Sequence, residues 1–334
     1  MKAIIPVAGI GSKLRPHTHT QPKAMMPVAG KPILVHIMDT LIAGGVKDFV
    51  LVIGHLGDKI ESYISSAYAK HKIHVTFIVQ EPREGIGHAL WSARKELKSK
   101  SEILIMLGDT ILDLEIDQFL KSKHTIIGTK KVDTPGNFGV AEIDDHGWIT
   151  KLVEKPKIPK SNHALVGIYK ITNPRLLLEA VEYIVDNKII TLGEYQLTDA
   201  LMFMLEKGEK MKAYPVDKWY DCGKKDSLLE ANAILLTSPE FTKISQYKFQ
   251  NTILIPPVSI SANCEISDSI IGPNVAIAEN TVVTNAIIQN TIIGSFSKIE
   301  MVVLKDSVIG SDTGLRGLSQ SLNIGDNTEI DFTE

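Results

Sequence analysis

Residues 8–16 read AGIGSKLRP and follow a short apolar run, Ala3–Val7. Glycines one residue apart let backbone N–H groups come close to phosphate oxygens. Ser12 adds a hydroxyl, and Lys13 and Arg15 add two cations. Such a loop suits an anionic ligand, although a tight strand–helix turn with solvated cations accounts for the same residues. The spacing is neither the G-x-G-x-x-G of dinucleotide binders nor the G-x-x-x-x-G-K-[ST] of a P-loop. Gly30-Lys31 is followed by Pro32, which removes a second place for a P-loop. His17 and His19 form an H-x-H pair with nothing nearby to complete a metal site, so they read as a polar loop. Cys222 and Cys264 lie far apart without metal-ligand spacing and predict a reduced, cytoplasmic protein.

These residues need a scaffold, and 334 residues allow two or three domains. The net charge of -3 argues against a nucleic-acid partner. No apolar run reaches the ~18 residues of a membrane span. Up to about residue 130, short apolar runs alternate with helical patterns. Ala3–Val7, Phe49–Ile53, Val75–Val79, Ile103–Leu107 and Thr125–Gly128 read as buried parallel strands. Helices are predicted from Ile33 to Ile42 and over roughly 58–70 and 86–98. The alternation predicts a doubly wound, Rossmann-like sheet, whose ligand crevice lies at the carboxyl ends of its strands, where the glycine loop and Asp109 fall. Phe138–Ile143, Trp148–Glu154 and Ala164–Ile171 read as antiparallel strands, which makes the sheet mixed, and helices follow near 174–186, 197–206 and 225–236.

After about residue 250, DSIIG (268–272), NTIIG (290–294), DSVIG (306–310) and NIGD (323–326) recur. Aliphatic residues fall six apart: Ile260 and Ile266; Ile271, Ile277 and Val283; Ile293 and Ile299; Ile309 and Leu315; Ile324 and Ile330. That period predicts a short left-handed parallel β-helix over 250–334, one aliphatic residue per face stacking inward, after an α/β domain over 1–240.

In AGIGSKLRPHTHTQPKAMMPVAGKPI the chain resembles the sugar-1-phosphate nucleotidyltransferases, whose N-terminal motif is a glycine-rich loop, a Pro-Lys pair, then Pro-Val and Lys-Pro. Further pieces follow in the family's order. QEPREGIGHAL (80–90) resembles the base-recognition segment, and LGDTILD (107–113) the segment holding a metal-binding aspartate. NFGVAEID (137–144), VEKPKIPKSNHALVGIY (153–169) and GEYQLTDAL (193–201) resemble the sugar-site strands and the helix behind them. WYDCG (219–223) resembles the second metal aspartate. PKSN and THT…PK are most similar to glucose-1-phosphate thymidylyltransferases, while GIGHA is equally similar to the uridylyltransferases.

The resemblance implies attack by a sugar-1-phosphate oxygen on the α-phosphorus of a nucleoside triphosphate, with pyrophosphate leaving. The nucleophile is already an anion, so cations and positioning supply the catalysis. It implies Mg2+ held by Asp109 and Asp221, the nucleotide held by Ala8, Gly9, Gly11, Ser12, Gln80 and Gly85, and Lys13 and Lys23 on the phosphates. It places the sugar phosphate against Gly139, Glu154, Lys155, Leu165 and Gly167. One Gln80 amide both donates and accepts, which suits the O4/N3–H edge of uracil or thymine. At two positions this chain departs from the family: Ser12 stands for threonine, and Lys13 for an arginine with a planar, bidentate fork. Trp219–Tyr220 read as packing beside Asp221, with a stacking platform as the alternative. The expected product is a dTDP- or UDP-sugar made by a homo-oligomer. The alternatives are a mannose-1-phosphate guanylyltransferase, a non-catalytic regulatory subunit, and a bifunctional enzyme with an acetyltransferase β-helix. The last suffers from the absence of any histidine after His163, the usual base of hexapeptide acyltransferases.

Overall fold

The computed structural model describes residues 1–98, 101–242, 247–317 and 319–331. The end of the expected repeat, 332–334, lies outside the described residues. By its internal contacts the chain forms two compact units, Met1–Gly9 with Ile37–Trp219, and Ile10–His36 with Tyr220–Glu334.

The first unit is built on nine strands: β1 (Lys2–Pro6), β2 (Asp48–Ile53), β3 (His74–Val79), β4 (Ile103–Met106), β5 (Thr125–Lys131), β6 (Gly139–Ile143), β7 (Ile149–Glu154), β8 (His163–Ile171) and β9 (Met211–Pro215). Their order runs β7-β6-β8-β4-β1-β2-β3, with β5 against β8 and β9 against β5. β1 is parallel to β2 and β4, and β2 to β3. Ile4, Val50, Val52, Ile103 and Ile105 are fully or almost fully buried, as expected of strands covered on both faces. β8 runs antiparallel to β4, β5 and β6, so the sheet is mixed. The apolar run at Thr125–Gly128 is a strand, but β5 is antiparallel to β8 and parallel only to β9. β9, sequence MKAYP, lacks an apolar run and was invisible to the sequence pattern.

Helices α1 (Ile33–Ala43), α2 (Gly57–Ala67), α3 (Ile86–Ser92), α4 (Pro174–Asp186) and α5 (Leu197–Glu206) fall where the 3.6-residue pattern put them. The segment expected as one helix over 86–98 instead ends α3 at Ser92, and the Ala93 N–H is shared between Ala89 and Trp91 carbonyls. A separate 3-10 turn covers Glu96–Lys98. α4 begins with Pro174 behind Asn173, whose side chain accepts from the Leu176 N–H, a standard helix start. Among the described residues, no helix is long and apolar enough to cross a membrane.

In the second unit, α6 (Lys225–Leu235) precedes a parallel β-helix of three five-stranded sheets. Register pairs stack Ile260, Ile277, Ile293, Ile309 and Ile324 on one face. Ile266, Val283, Ile299, Leu315 and Ile330 stack on a second, and Leu254, Ile271, Ile288 and Leu304 on the third. The first two stacks and Ile271 are the aliphatic positions of the six-residue period, whereas Leu254, Ile288 and Leu304 of the third stack were not among them; most of the stacked residues are almost fully buried. The corners turn through residues with positive φ, which Asn and Asp tolerate best among side-chain-bearing residues. One corner is formed in successive coils by Asn263, Asn280, Phe296, Asp312 and Asn327, and another by Asn251, Asp268, Asn285 and Met301.

Candidate active site

In the first unit, Ala8 and Gly9 follow β1 and Asp109 follows β4, so the parallel pair delivers these residues at its carboxyl edge. The His55 N–H donates to the Ala8 carbonyl at 3.4 Å. Thr110 donates its hydroxyl to Asp109 at 3.4 Å.

Next to this edge, β8 breaks its register with β5 between Leu165 and Tyr169. Gly167 sits in the break at φ +88°, and its carbonyl accepts from the Leu107 N–H at 2.9 Å. Beyond it, Tyr169 is buried, and its hydroxyl is pushed far above its ordinary pKa. Burial is the largest cause, followed by the negative charges of Glu154 and Asp109. Both carboxylates therefore act on one tyrosine.

Glu154 ends β7 opposite Gly139 of β6. A side chain at Gly139 would lie 2.9 Å from Leu165 Cδ1 and 3.0 Å from Glu154 Oε2, so these three residues form one wall. Thr198, near the start of α5, donates its hydroxyl to Glu154 Oε2 at 3.2 Å. The Lys155 ammonium lies 3.4 Å from Glu154 Oε1 and is half exposed. Lys155 turns the backbone at φ +38°, with its N–H on the Phe138 carbonyl at 3.1 Å. A β-region break of this kind in a non-glycine residue re-aims its side chain at a strand end. The indole of Trp219 meets the Phe138 ring edge-on at 4.8 Å, a packing contact.

The carbonyl edge of β3 carries Gln80, almost fully buried, with its backbone N–H on the Ile53 carbonyl. Its side-chain nitrogen donates to the Gly85 carbonyl at 2.9 Å. Gly85 starts α3 at φ +99°, and a Cβ there would lie 2.6 Å from the Tyr195 carbonyl; both facts require glycine.

In the second unit, Gly11 adopts a left-handed φ of 69° ahead of a 3-10 turn, Ser12–Leu14. Thr18 donates its hydroxyl to the Gly11 carbonyl at 2.8 Å, and a side chain at Gly11 would collide with Thr18 and Lys23 at 2.9 Å. The loop thus folds back on the PK segment. Lys13 and Arg15 are exposed. A Cβ built at Gly223 would lie 2.8 Å from Asp221 Oδ1 and 3.4 Å from Lys23 Nζ, which sets that ammonium and carboxylate round one glycine. HTHT was expected as a polar loop; within it His17 and Thr18 are buried and His19 is exposed.

Among the described residues no three His, Cys, Asp or Glu side chains group as a metal site. A divalent cation on Asp109 or Asp221 would draw its other ligands from phosphate oxygens and water, the donor set that Mg2+ favours. Thr198, Tyr169 and His88 were not singled out from the sequence. Each was visible only as a letter of a motif, His88 in GIGHA, Tyr169 at the end of VEKPKIPKSNHALVGIY and Thr198 in GEYQLTDAL, with no role of its own.

A nucleotidyl transferase family model matches residues 2–238, and a GlmU-like C-terminal hexapeptide model matches residues 235–313. The low-salt glycan biosynthesis nucleotidyltransferase Agl11 of Haloferax volcanii is 33% identical over 250 residues, covering 73% of this chain and 68% of that protein. A glucose-1-phosphate thymidylyltransferase of Streptomyces antibioticus is 30% identical over 353 residues, 99% of this chain and 93% of that protein. A Bacillus anthracis structure, described as a glucose-1-phosphate thymidylyltransferase in complex with a sucrose, superimposes with a TM-score of 0.61 at 29% identity, over 70% of this chain and 94% of that one. This chain belongs to the nucleotidyl transferase family and carries a GlmU-like hexapeptide domain at its C-terminal end.

Proposed function

We propose that the chain condenses UTP or dTTP with a sugar-1-phosphate, glucose-1-phosphate foremost, to give an NDP-sugar and pyrophosphate. The observation that carries this reading is the wall formed by Gly139, Leu165 and Glu154 with Lys155, which shares Tyr169 with Asp109 at the carboxyl edge of the sheet. It offers a carboxylate for sugar hydroxyls, a cation for the sugar phosphate and an aspartate for a metal. The Streptomyces and Bacillus relatives, both named as glucose-1-phosphate thymidylyltransferases, support glucose-1-phosphate and dTTP.

In this reading Glu154 orients the sugar through its hydroxyls while Lys155 holds the phosphate, leaving an anionic oxygen to attack without a general base. Ala8, Gly9, Gly11 and Ser12 present backbone and hydroxyl donors to the triphosphate. Lys13 and Lys23 stabilise the charge that builds on it. Gln80 and Gly85 hold the base. Asp109 and Asp221 are each proposed as a carboxylate ligand of Mg2+, which when bound neutralises phosphate oxygens and orients the leaving group. The catalytic part spans 1–240. Residues 250–334 serve as a structural, oligomer-forming module, without the histidine that acetyl transfer would draw on.

The test is pyrophosphate release from glucose-1-phosphate with Mg2+ and UTP, dTTP or GTP in turn. A pyrimidine nucleotide is expected as best substrate, with loss of turnover on chelation. GTP as best substrate would favour the guanylyltransferase instead; no release with any of them would overturn glucose-1-phosphate as the sugar, and no release with mannose-1-phosphate either would favour a non-catalytic subunit. Acetyl-CoA turnover would overturn the structural reading of the β-helix.

A further inference from the structure

Gln80 is not alone in its buried corner of the first unit. Its side-chain nitrogen lies 2.9 Å from the Gly85 carbonyl and 3.3 Å from Nδ1 of His88. His88, on α3, is 4% exposed. Its ring stacks on Trp91 at 5.3 Å and faces Tyr195 at 6.2 Å, so its plane is fixed. Nε2 lies 3.9 Å from the Glu84 carboxylate.

An amide has two N–H donors and one carbonyl acceptor. The Gly85 carbonyl can only accept, so the NH2 of Gln80 must face it. The second N–H then points at His88 Nδ1, which must be unprotonated, leaving the ring proton on Nε2 toward Glu84. With both donors engaged, Oε1 is the atom left for a ligand. The sequence suggested an amide that both donates and accepts; the structure commits the donors elsewhere.

We propose that His88 is a positioning residue that fixes the Gln80 amide as an acceptor toward the nucleotide base, so that the site selects a base presenting a ring N–H. This rests on the reading of Gln80 as the base contact. Uracil and thymine offer N3–H to Oε1, whereas cytosine offers a bare lone pair at the same ring position. Guanine also carries a ring N–H, so the discriminating pair is UTP against CTP. Burial holds the His88 imidazole below its ordinary pKa, and the Arg94 cation acts in the same direction; the Glu84 carboxylate and the Pro82 carbonyl oppose them. The neutral ring is thus the resting form. Protonation would set an Nδ1–H against the Gln80 N–H and break the arrangement.

The test compares KM and kcat for UTP and CTP in the full chain, in His88→Leu and in His88→Asn, whose Oδ1 can accept where Nδ1 does. His88→Leu is expected to raise KM for UTP about 10-fold, the scale of one hydrogen bond, with kcat little changed and a narrower preference over CTP. His88→Asn is expected to restore both. Acidification below the lowered pKa of His88 should raise KM for UTP more in the wild type than in His88→Asn, which shares every other titration, the phosphates of UTP included. Unchanged KM and preference in His88→Leu, or His88→Asn as impaired as His88→Leu, would overturn the role. Calorimetric titration with UTP and CTP needs no turnover and separates the two readings. Preferential UTP binding without turnover retires the reaction and leaves the positioning role standing, whereas equal binding of UTP and CTP by the wild type overturns the role.

Discussion

Glu154 shows how much of the site depends on side chains far away in sequence. Its two oxygens have different partners, the Thr198 hydroxyl on Oε2 and the Lys155 ammonium near Oε1. The lysine is half exposed and its attraction is screened by water, so the hydroxyl is the firmer restraint. Thr198→Val keeps the shape of the side chain and removes the donor. One hydrogen bond to a charged group contributes about 1.5 kcal/mol or more, so KM for the sugar phosphate should rise roughly 10-fold. KM for the nucleotide should stay put; an equal rise in both would mean that Thr198 supports the fold rather than Glu154. The carboxylate itself was legible, because Glu-Lys-Pro stands in an ordered series of motifs. Thr198 was not, since a bond across 44 residues leaves no local pattern. The same holds for Gln80: its residue type suggested an amide that reads a base, but only the placement of Gly85 and His88 decides which half of the amide is available.

At the scale of elements, the β-helix was the most legible part, because two of its three inward stacks are the residues that fall six apart in the sequence, the third adding Leu254, Ile288 and Leu304 to Ile271. The register steps between stacked isoleucines are 17, 16, 16 and 15 residues, not a constant 18. The strands hold register because the corners absorb the difference, and corners are where the sequence is least regular. Asn263, Asn280, Asp312 and Asn327 make one corner with positive φ, and Phe296 interrupts them at φ 59°. Phe296 is 58% exposed, so little burial offsets its backbone strain. An L-residue in this region costs about 1–2 kcal/mol, and Asn less. Phe296→Asn should therefore raise stability by about 1 kcal/mol, read as a higher denaturant midpoint at unchanged m. A lower midpoint would show that the phenyl ring makes a contact worth more than the strain. Other elements were missed for a different reason. Thr110–Asp113 and β9 are short, and neither carries an uninterrupted apolar run or strict alternation.

At the scale of the molecule, the two units are interleaved in the chain, which leaves the first after Gly9, rejoins it at Ile37 and leaves it again after Trp219. No pattern in the sequence announces this, because it depends on which contacts residues 10–36 make. Within the second unit that segment rests on the last coil of the β-helix. His17 Nε2 bonds Asn323, Thr20 donates to Asp326, and the other Asp326 oxygen accepts from the Ser311 N–H at 2.7 Å. A side chain on Gly325 would press on Pro16 at 3.1 Å. The NIGD repeat thus supports the HTHT stretch of the glycine-rich loop. His17 is held below its ordinary pKa chiefly by burial, against the Asn323 bond and the Asp326 charge, which favour the proton. The folded loop therefore keeps a neutral ring while an unfolded chain takes up a proton near the ordinary histidine value. Stability is full above about pH 6.5 and falls as the pH drops from there toward the folded value, because the unfolded state binds more protons. His88 and His163 are lowered by burial in the same direction. Asp199, raised by burial, acts oppositely, but near the carboxylate range. The thermal midpoint should thus be lower at about pH 5.5 than at about pH 7.5. His17→Gln keeps a donor for Asn323 and cannot titrate, so it should shrink that drop without abolishing it; a drop equal to the wild type's would show that His17 meets the proton as freely in the folded loop as in the open chain.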